Sequence, residues 1–205
     1  MRGRLIKMSL DEVLRKLDVK RVPLSDVWSY LPNRNRCIWD GQYEKVGTYT
    51  QPTNREASFS LKLLPSNPLS LTPYSVGIYA IYDDRSCIYV GLTDQKIRQR
   101  FNAHVSKLTA VRRHDHPRRW RDYAKARLRS KGEKFESVEE FELGFFSFED
   151  FALFLEGETT KDCVDDMEAL IFYGLCATNP RDRFLNTESS VGNKESREKW
   201  KAFFG

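Results

Sequence analysis

Three short apolar runs follow a weakly patterned N-terminal region. Residues 76–82 and 87–91 are rich in β-branched and aromatic side chains, and the polar residues 83–86 separate them. Two such runs joined by a short polar turn predict a β-hairpin. Residues 141–148 have the same character and predict a third strand.

Two apolar stripes with helical spacing accompany these strands. The first lies between the hairpin and the third strand and consists of Ile97, Phe101, Val105 and Leu108. The second predicts a helix over about 165–177, in which nearly every residue after Glu168 is apolar, so we expect it to be buried. The predicted order of these elements is β-β-α-β-α, which is typical of an α+β fold.

The N-terminal region carries two helix signals and then loop-like sequence. Ser9 and Glu12 fit a capping box, which predicts a short amphipathic helix that ends at about Lys16. Its apolar face comprises Leu10, Val13, Leu14 and Leu17. A second helix is predicted from about residue 23 to Tyr30, and the Pro-, Asn- and Ser-rich residues 32–72 predict loops.

Composition narrows the class of protein. The 205 residues are 40% hydrophobic and 13% aromatic, which is typical of a globular chain and not of a disordered one. No apolar run approaches the roughly 18 residues of a membrane span, and no secretory signal is recognisable, so we expect a cytoplasmic protein. The four cysteines lie far apart, which argues against a zinc finger and favours free thiols.

The net charge of +5 is concentrated in residues 112–134, which hold ten basic and three acidic side chains. Such a segment predicts contacts with nucleic-acid phosphates, and its interleaved aromatics could stack on bases. The alternative is an amphipathic helix over about 118–129 with a solvated basic face and packed aromatics. The candidate DNA-binding residues are Arg112, Arg113, Arg118, Arg119, Trp120, Arg121, Lys125 and Arg127.

The two arms of the predicted hairpin carry related tripeptides, Gly-Ile-Tyr at 77–79 and Tyr-Val-Gly at 89–91. This pair resembles the GIY-YIG nuclease family, which has these tripeptides on adjacent strands. The resemblance covers about residues 74–188 and makes the basic segment, at about 109–136, an insertion. It implies an α+β catalytic domain over 74–188, in which helices flank a small antiparallel three-stranded sheet. It also implies an N-terminal arm over 1–73 for DNA binding or dimerisation, and a C-terminal tail over 189–205.

The resemblance also implies a divalent-metal-dependent endonuclease that hydrolyses DNA phosphodiester bonds. Glu168 would bind Mg²⁺ or Mn²⁺, which prefer hard carboxylate oxygens. Arg100 would contact the phosphate, and His104, one helical turn further on, would orient the same phosphate or move a proton. The alternatives are a solvated Glu168 in the first turn of its helix, a surface Arg100 and a His104 packed at a helix edge.

The remaining site residues are also implied by the resemblance. Tyr79 is the candidate general base; because a phenol with a pKa near 10 is a poor base at neutral pH, nearby positive charge must assist it, or Tyr79 merely positions the water. His104 competes for the base role. Tyr89 would support Tyr79, and Asn186 would stabilise the site by hydrogen bonding, with Asn179 as the competing candidate. Strand tyrosines can also be simple core residues.

No zinc finger, helix-turn-helix or helix-hairpin-helix motif is recognisable in the sequence. This organisation is similar to the small type II restriction endonucleases of the family, of bacterial or phage type. We therefore expect site-specific cleavage of both strands of double-stranded DNA by a homodimer or higher homo-oligomer. The alternatives are a structure-specific repair nuclease, a homing nuclease, and a non-catalytic DNA-binding protein on the same fold.

Overall fold

The structure is a computed structural model that describes residues 10–33, 43–46, 49–52, 58–93, 97, 100, 104, 117–131, 141–149, 161–179, 181 and 184–205. The described strands are β1 Val22–Pro23, β2 Trp28–Asn33, β3 Tyr43–Val46, β4 Tyr49–Pro52, β5 Ser58–Leu63, β6 Gly77–Asp83, β7 Ser86–Thr93 and β8 Glu142–Ser147. The described α-helices are α1 Leu10–Leu17, α2 Leu24–Val27, α3 Arg118–Lys131, α4 Lys161–Thr178 and α5 Lys194–Phe204. A 3-10 helix spans Glu188–Ser190.

The chain divides into two compact units. The first comprises residues 1–22, 75–94 and 142–205, and the second comprises residues 23–74 and 95–141. The C-terminal residues therefore lie in the same unit as the hairpin. No helix in the described part of the chain is long and apolar enough to span a membrane.

A four-stranded sheet in the order β1-β8-β6-β7 organises the first unit. Strand β6 pairs antiparallel with both β7 and β8, so the three predicted strands and the α+β fold are confirmed. The N-terminal region adds the short fourth strand, β1. Between β6 and β7 the chain reverses at Asp84 and Arg85, both with positive φ (52° and 66°), as tight hairpin turns require.

Helix α4 packs against this sheet and forms the core of the first unit. Ile78, Ala80 and Val90 project from one sheet face into the same core as Leu170 and Ile171 of α4. Alternate strand residues point to one face, which explains why 78 and 80 share this core. Burial of these apolar side chains is the main force that holds helix and sheet together.

Helices α1 and α5 both pack against α4. A Cβ at Gly174 of α4 would collide with Leu17 of α1 and would lie 3.1 Å from the ring of Phe204 of α5. Val13 and Leu17 are buried, so the predicted amphipathic helix α1 is confirmed, while its capping residue Ser9 lies outside the described residues.

The second unit corrects two predictions about the N-terminal region. The helix expected to reach Tyr30 ends at Val27, and Trp28–Asn33 forms strand β2 instead. Residues 32–72 are not only loops, because they contain β3, β4 and β5. Strand β2 pairs antiparallel with the distant β5, whereas β3 and β4 form a local antiparallel pair. Strand pairing therefore satisfies backbone groups that composition alone assigned to loops.

Candidate active site

Two tyrosines of the sequence motif meet on one face of the hairpin. In the β6–β7 register, Tyr79 lies opposite Gly91 and Ile81 lies opposite Tyr89, so the two tyrosines are diagonal neighbours. Their ring centroids are 6.1 Å apart and the rings are tilted by 43°. Tyr79 is fully buried and Tyr89 is partly exposed. The structure therefore brings these two predicted site residues together.

The glycines of the motif leave space for these rings and for the sheet backbone. A Cβ at Gly91 would lie 2.6 Å from the Cζ and Oη atoms of Tyr79 and 2.7 Å from Cε1 of Tyr89. A Cβ at Gly77 would collide with the backbone carbonyl of Phe146 on β8. Gly91 is thus required because the tyrosine rings lie over its backbone, and Gly77 because a neighbouring strand lies against it.

Glu168 is a buried carboxylate near the middle of α4. Helix α4 begins at Lys161, earlier than predicted, so Glu168 lies in its third turn. Only 9% of Glu168 is exposed, and its Oε2 accepts a hydrogen bond from the backbone N–H of Gly192 at 3.0 Å. The alternative of a solvated charge in the first helical turn is therefore wrong. An ionised carboxylate in such a position requires hydrogen bonds or a cation to offset its lost hydration.

Glu168 is the acidic side chain of the candidate site that could bind a divalent metal ion. Among the described residues, no group of three His, Cys, Asp or Glu side chains is close enough to hold a metal ion. Mg²⁺ does not need such a cage, because it keeps several water molecules and binds proteins through one or two carboxylates. Glu168, an oriented carboxylate, fits this requirement.

Asn186 is held against strand β7. Its Oδ1 accepts a hydrogen bond from the N–H of Val90 at 2.8 Å, and its Nδ2 donates to the carbonyl of Val90 at 2.7 Å. Asn179 instead accepts from the N–H of Cys87 and donates to the carbonyl of Leu175 at the end of α4. Of the two candidates, Asn186 holds the residue between Tyr89 and Gly91 of the motif.

Arg100 and His104 belong to the second unit, whereas Tyr79, Tyr89, Glu168 and Asn186 belong to the first. Arg100 and His104 are both helical, as predicted; Arg100 is exposed and His104 is buried. The imidazole of His104 stacks on Trp120, with ring centroids 5.5 Å apart and an interplanar angle of 23°.

Helix α3 carries the described part of the basic segment. Arg118 and Arg119 are exposed, and Arg118 pairs with Asp122 one turn further on at 3.3 Å. Trp120 is only 3% exposed, which matches the alternative of a packed aromatic. Arg121 is half-buried, and its buried Nε has no hydrogen-bond partner in the part of the chain that the structure describes. Arg112, Arg113 and the side chains of Lys125 and Arg127 lie outside the described residues.

Two buried thiols of the first unit are unsuited to nucleophilic chemistry. Burial raises the pKa of Cys176 to about 12. Burial also raises the pKa of Cys87 well above its ordinary value. Because the thiolate is the reactive form, both side chains act as small apolar core residues. They are free cysteines, as the sequence predicts, and Cys37 lies outside the described residues.

Sequence reasoning missed two residues near Glu168. Gly192 donates its amide to Glu168, and the Arg197 guanidinium binds the carbonyls of Val191 and Gly192. The sequence Gly192-Asn193 before a polar run did signal a turn and a helix cap. Nothing in the spacing of these residues indicated that the turn at Gly192 meets a carboxylate of α4, which begins 31 residues earlier, at Lys161.

Comparison with known proteins identifies the class that this sheet and its tyrosine pair represent. Residues 75–172 match the GIY-YIG catalytic domain. No curated protein and no solved structure gave a match. The chain therefore contains a GIY-YIG domain, which implies a nuclease that binds DNA. Nucleases of this kind generally depend on a divalent metal.

Proposed function

We propose that the protein is a metal-dependent, site-specific DNA endonuclease that cleaves both strands, of the type II restriction class. The observation that carries the proposal is Glu168, a buried carboxylate held by a backbone amide within a chain that has a GIY-YIG domain. This supports a cation-binding role, because an ionised carboxylate that is removed from water is stabilised by a cation together with hydrogen bonds.

Each described site residue then has a chemical task. Tyr79 positions or deprotonates the attacking water, and Tyr89 orders the hydroxyl network beside it. Arg100 contacts the phosphate with its planar donors, and His104 orients that phosphate or moves a proton. When bound at Glu168, the divalent ion supplies Lewis acidity that stabilises charge on the phosphate in the transition state. Asn186 keeps β7 in register, so that Tyr89 and Gly91 stay opposite their partners.

Helix α3 is the proposed DNA-binding element of the basic insertion. Arg118 and Arg119 are exposed there and suit contacts to phosphates, which supply affinity rather than sequence choice. A homodimer would match the two-fold symmetry of a palindromic target and cut both strands. This assignment fits a bacterial or phage-type protein that acts in the cytoplasm.

The first experiment is a digest of a large phage DNA with Mg²⁺, compared with EDTA and with the Glu168→Gln variant. We expect discrete, reproducible fragments from the wild type only, because Glu168→Gln keeps the size of the side chain but removes its charge. Cleavage by Glu168→Gln should fall to the level seen with EDTA, because both changes remove the ion that would stabilise charge on the phosphate. Thermal unfolding of Glu168→Gln checks that the fold is retained.

The other outcomes decide between the alternatives. A smear would contradict site specificity. Intact phage DNA together with cleavage of branched substrates would favour a structure-specific repair nuclease. Binding of DNA by the wild type without cleavage of any substrate would favour the non-catalytic protein. Equal cleavage by the wild type and Glu168→Gln would overturn the role of Glu168.

A further inference from the structure

The turn at Gly192 lies directly on α4 beside Glu168. Gly192 adopts a left-handed conformation, with φ of 51°. A Cβ at Gly192 would collide with the carbonyl oxygen of Asp165 and would lie 3.3 Å from the Cβ of Ala169. The residue that orients the Glu168 carboxylate must therefore be a glycine, because any side chain would lift the amide away from α4.

The guanidinium of Arg197 is hydrogen-bonded to the backbone of this turn. Its Nη1 donates to the carbonyl of Val191 at 3.1 Å and to the carbonyl of Gly192 at 2.8 Å. Asn193 caps α5 by accepting from the N–H of Ser196 at 2.9 Å. The turn is thus tied to the first turn of α5 by one guanidinium and one helix cap.

Helix α5 is in turn anchored to α4. Asp166 accepts a hydrogen bond from Trp200 Nε1 at 2.9 Å and forms an ion pair with Lys199. Trp200 is buried in the core that α4 shares with the sheet. Asp166 and Glu168 are two residues apart on α4. Helix α5 is therefore fixed to the same segment of α4 that carries Glu168, and the turn that precedes α5 orients the Glu168 carboxylate.

We propose that Gly192 and Arg197 are positioning residues, which hold the metal-binding carboxylate of Glu168 in its orientation through the turn at residues 191–193. The proposal rests on the proposed function, in which Glu168 binds the divalent ion. It assigns a task to a segment outside the match at residues 75–172. Hydrogen-bond partners of metal-binding carboxylates fix their orientation, and removal of such partners costs about 10- to 100-fold in metal affinity.

The test measures Mn²⁺ binding to the DNA-free protein by electron paramagnetic resonance of the unbound ion. Arg197 acts through the Gly192 turn and not on the carboxylate itself, so Arg197→Ala should weaken Mn²⁺ binding by about 10-fold, the lower end of the range for removal of a direct partner. The matched control is Lys194→Ala on the same helix, which removes the same charge from a side chain that is 83% exposed and forms an ion pair with the exposed Glu198. We expect Lys194→Ala to bind Mn²⁺ like the wild type.

A kinetic measurement separates positioning from general damage. For Arg197→Ala, the Mg²⁺ concentration at half-maximal cleavage should rise by a similar factor, while the rate at saturating Mg²⁺ changes less. A merely structural role would lower the thermal midpoint without moving this Mg²⁺ requirement. Arg197→Lys, which keeps the charge but not the two-carbonyl geometry, should lie between the wild type and Arg197→Ala. If Arg197→Ala does not fold, the Lys variant carries the comparison.

The controls distinguish failure of this inference from failure of the proposed function. If Glu168→Gln binds Mn²⁺ like the wild type, or if the wild type does not bind Mn²⁺, the metal assignment itself fails. If Glu168→Gln loses Mn²⁺ binding while both Arg197 variants bind Mn²⁺ like the wild type, the positioning role is overturned and the nuclease proposal stands.

Discussion

The tyrosine pair and the buried carboxylate are positioned in different ways. Tyr79 and Tyr89 are brought together by the register of two strands joined by a tight turn. Glu168 is oriented by the amide of Gly192, which lies in a turn 24 residues further along the chain. The first arrangement follows from local pairing, whereas the second depends on the packing of three separate segments. We call the tyrosine pair and the carboxylate of Glu168 the two halves of the candidate site. Substitutions in the tyrosine half should change the cleavage rate, and substitutions in the carboxylate half should change the Mg²⁺ requirement.

The largest expected effect tests the tyrosine half alone. Tyr79→Phe removes a hydroxyl and keeps the buried ring, so we expect cleavage to slow by about 100- to 10,000-fold if Tyr79 acts on the water. The matched control is Tyr82→Phe on the same strand but in the core on the opposite face, where burial raises the tyrosine pKa. Single-turnover cleavage at saturating Mg²⁺ measures both, and equal rates for the two variants would contradict the role of Tyr79.

A smaller effect is expected for Asn186, which is distant in sequence but is hydrogen-bonded to the strand that carries Tyr89. Asn186→Ala leaves the N–H and carbonyl of Val90 without their partner in a buried position, so the free energy of unfolding should fall by about 2–4 kcal/mol. Asn179→Ala is the control at the same strand and should cost about 1 kcal/mol, because its bonds are only partly buried and water can replace them. Urea denaturation compares them; a larger loss for Asn179→Ala would reverse the assignment.

The smallest of the three effects is expected for Gly91→Ala, which tests whether a change beside the tyrosines leaves the Mg²⁺ requirement unchanged. Gly91→Ala places a methyl group against both tyrosine rings, and overpacking of this kind costs about 1–3 kcal/mol. We expect slower cleavage because the hydroxyls move, but an unchanged Mg²⁺ requirement because Glu168 is held elsewhere. Thermal unfolding and a Mg²⁺ titration of the cleavage rate check this expectation. A raised Mg²⁺ requirement would show that the two halves are coupled.

The parts of the fold that sequence predicted correctly are those with a local pattern. The hairpin, β8 and α1 each show apolar periodicity or turn signals within a few residues. Strands β2 and β5 were missed because neither sequence by itself distinguishes a strand from a loop. The two strands are stabilised by pairing with each other. The start of α4 was placed too late, because its first residues are acidic and polar and lack an apolar stripe.

The same distinction applies to the candidate site: residues with a signal in the sequence were predicted, and residues placed only by tertiary contacts were not. The tyrosines and Glu168 were recognised because the resemblance carries them as residue types in a fixed order. The support for Glu168 was missed because it comes from a backbone amide and a guanidinium, and neither leaves a spacing signal in the sequence. The division of Arg100 and His104 into another compact unit also depends on tertiary contacts rather than on local pattern.

Strand β7 lies at the edge of its sheet, and the segment after α4 occupies the outer side of that strand. The N–H of Cys87, the carbonyl of Ile88 and both backbone groups of Val90 are bonded to Asn179, Leu185 and Asn186. An uncovered edge strand would be a template for strand addition and aggregation. Here the backbone groups of those residues are already hydrogen-bonded within the chain. A second copy of the chain could not pair with this stretch of β7 to continue the sheet, so two copies would have to associate through another surface.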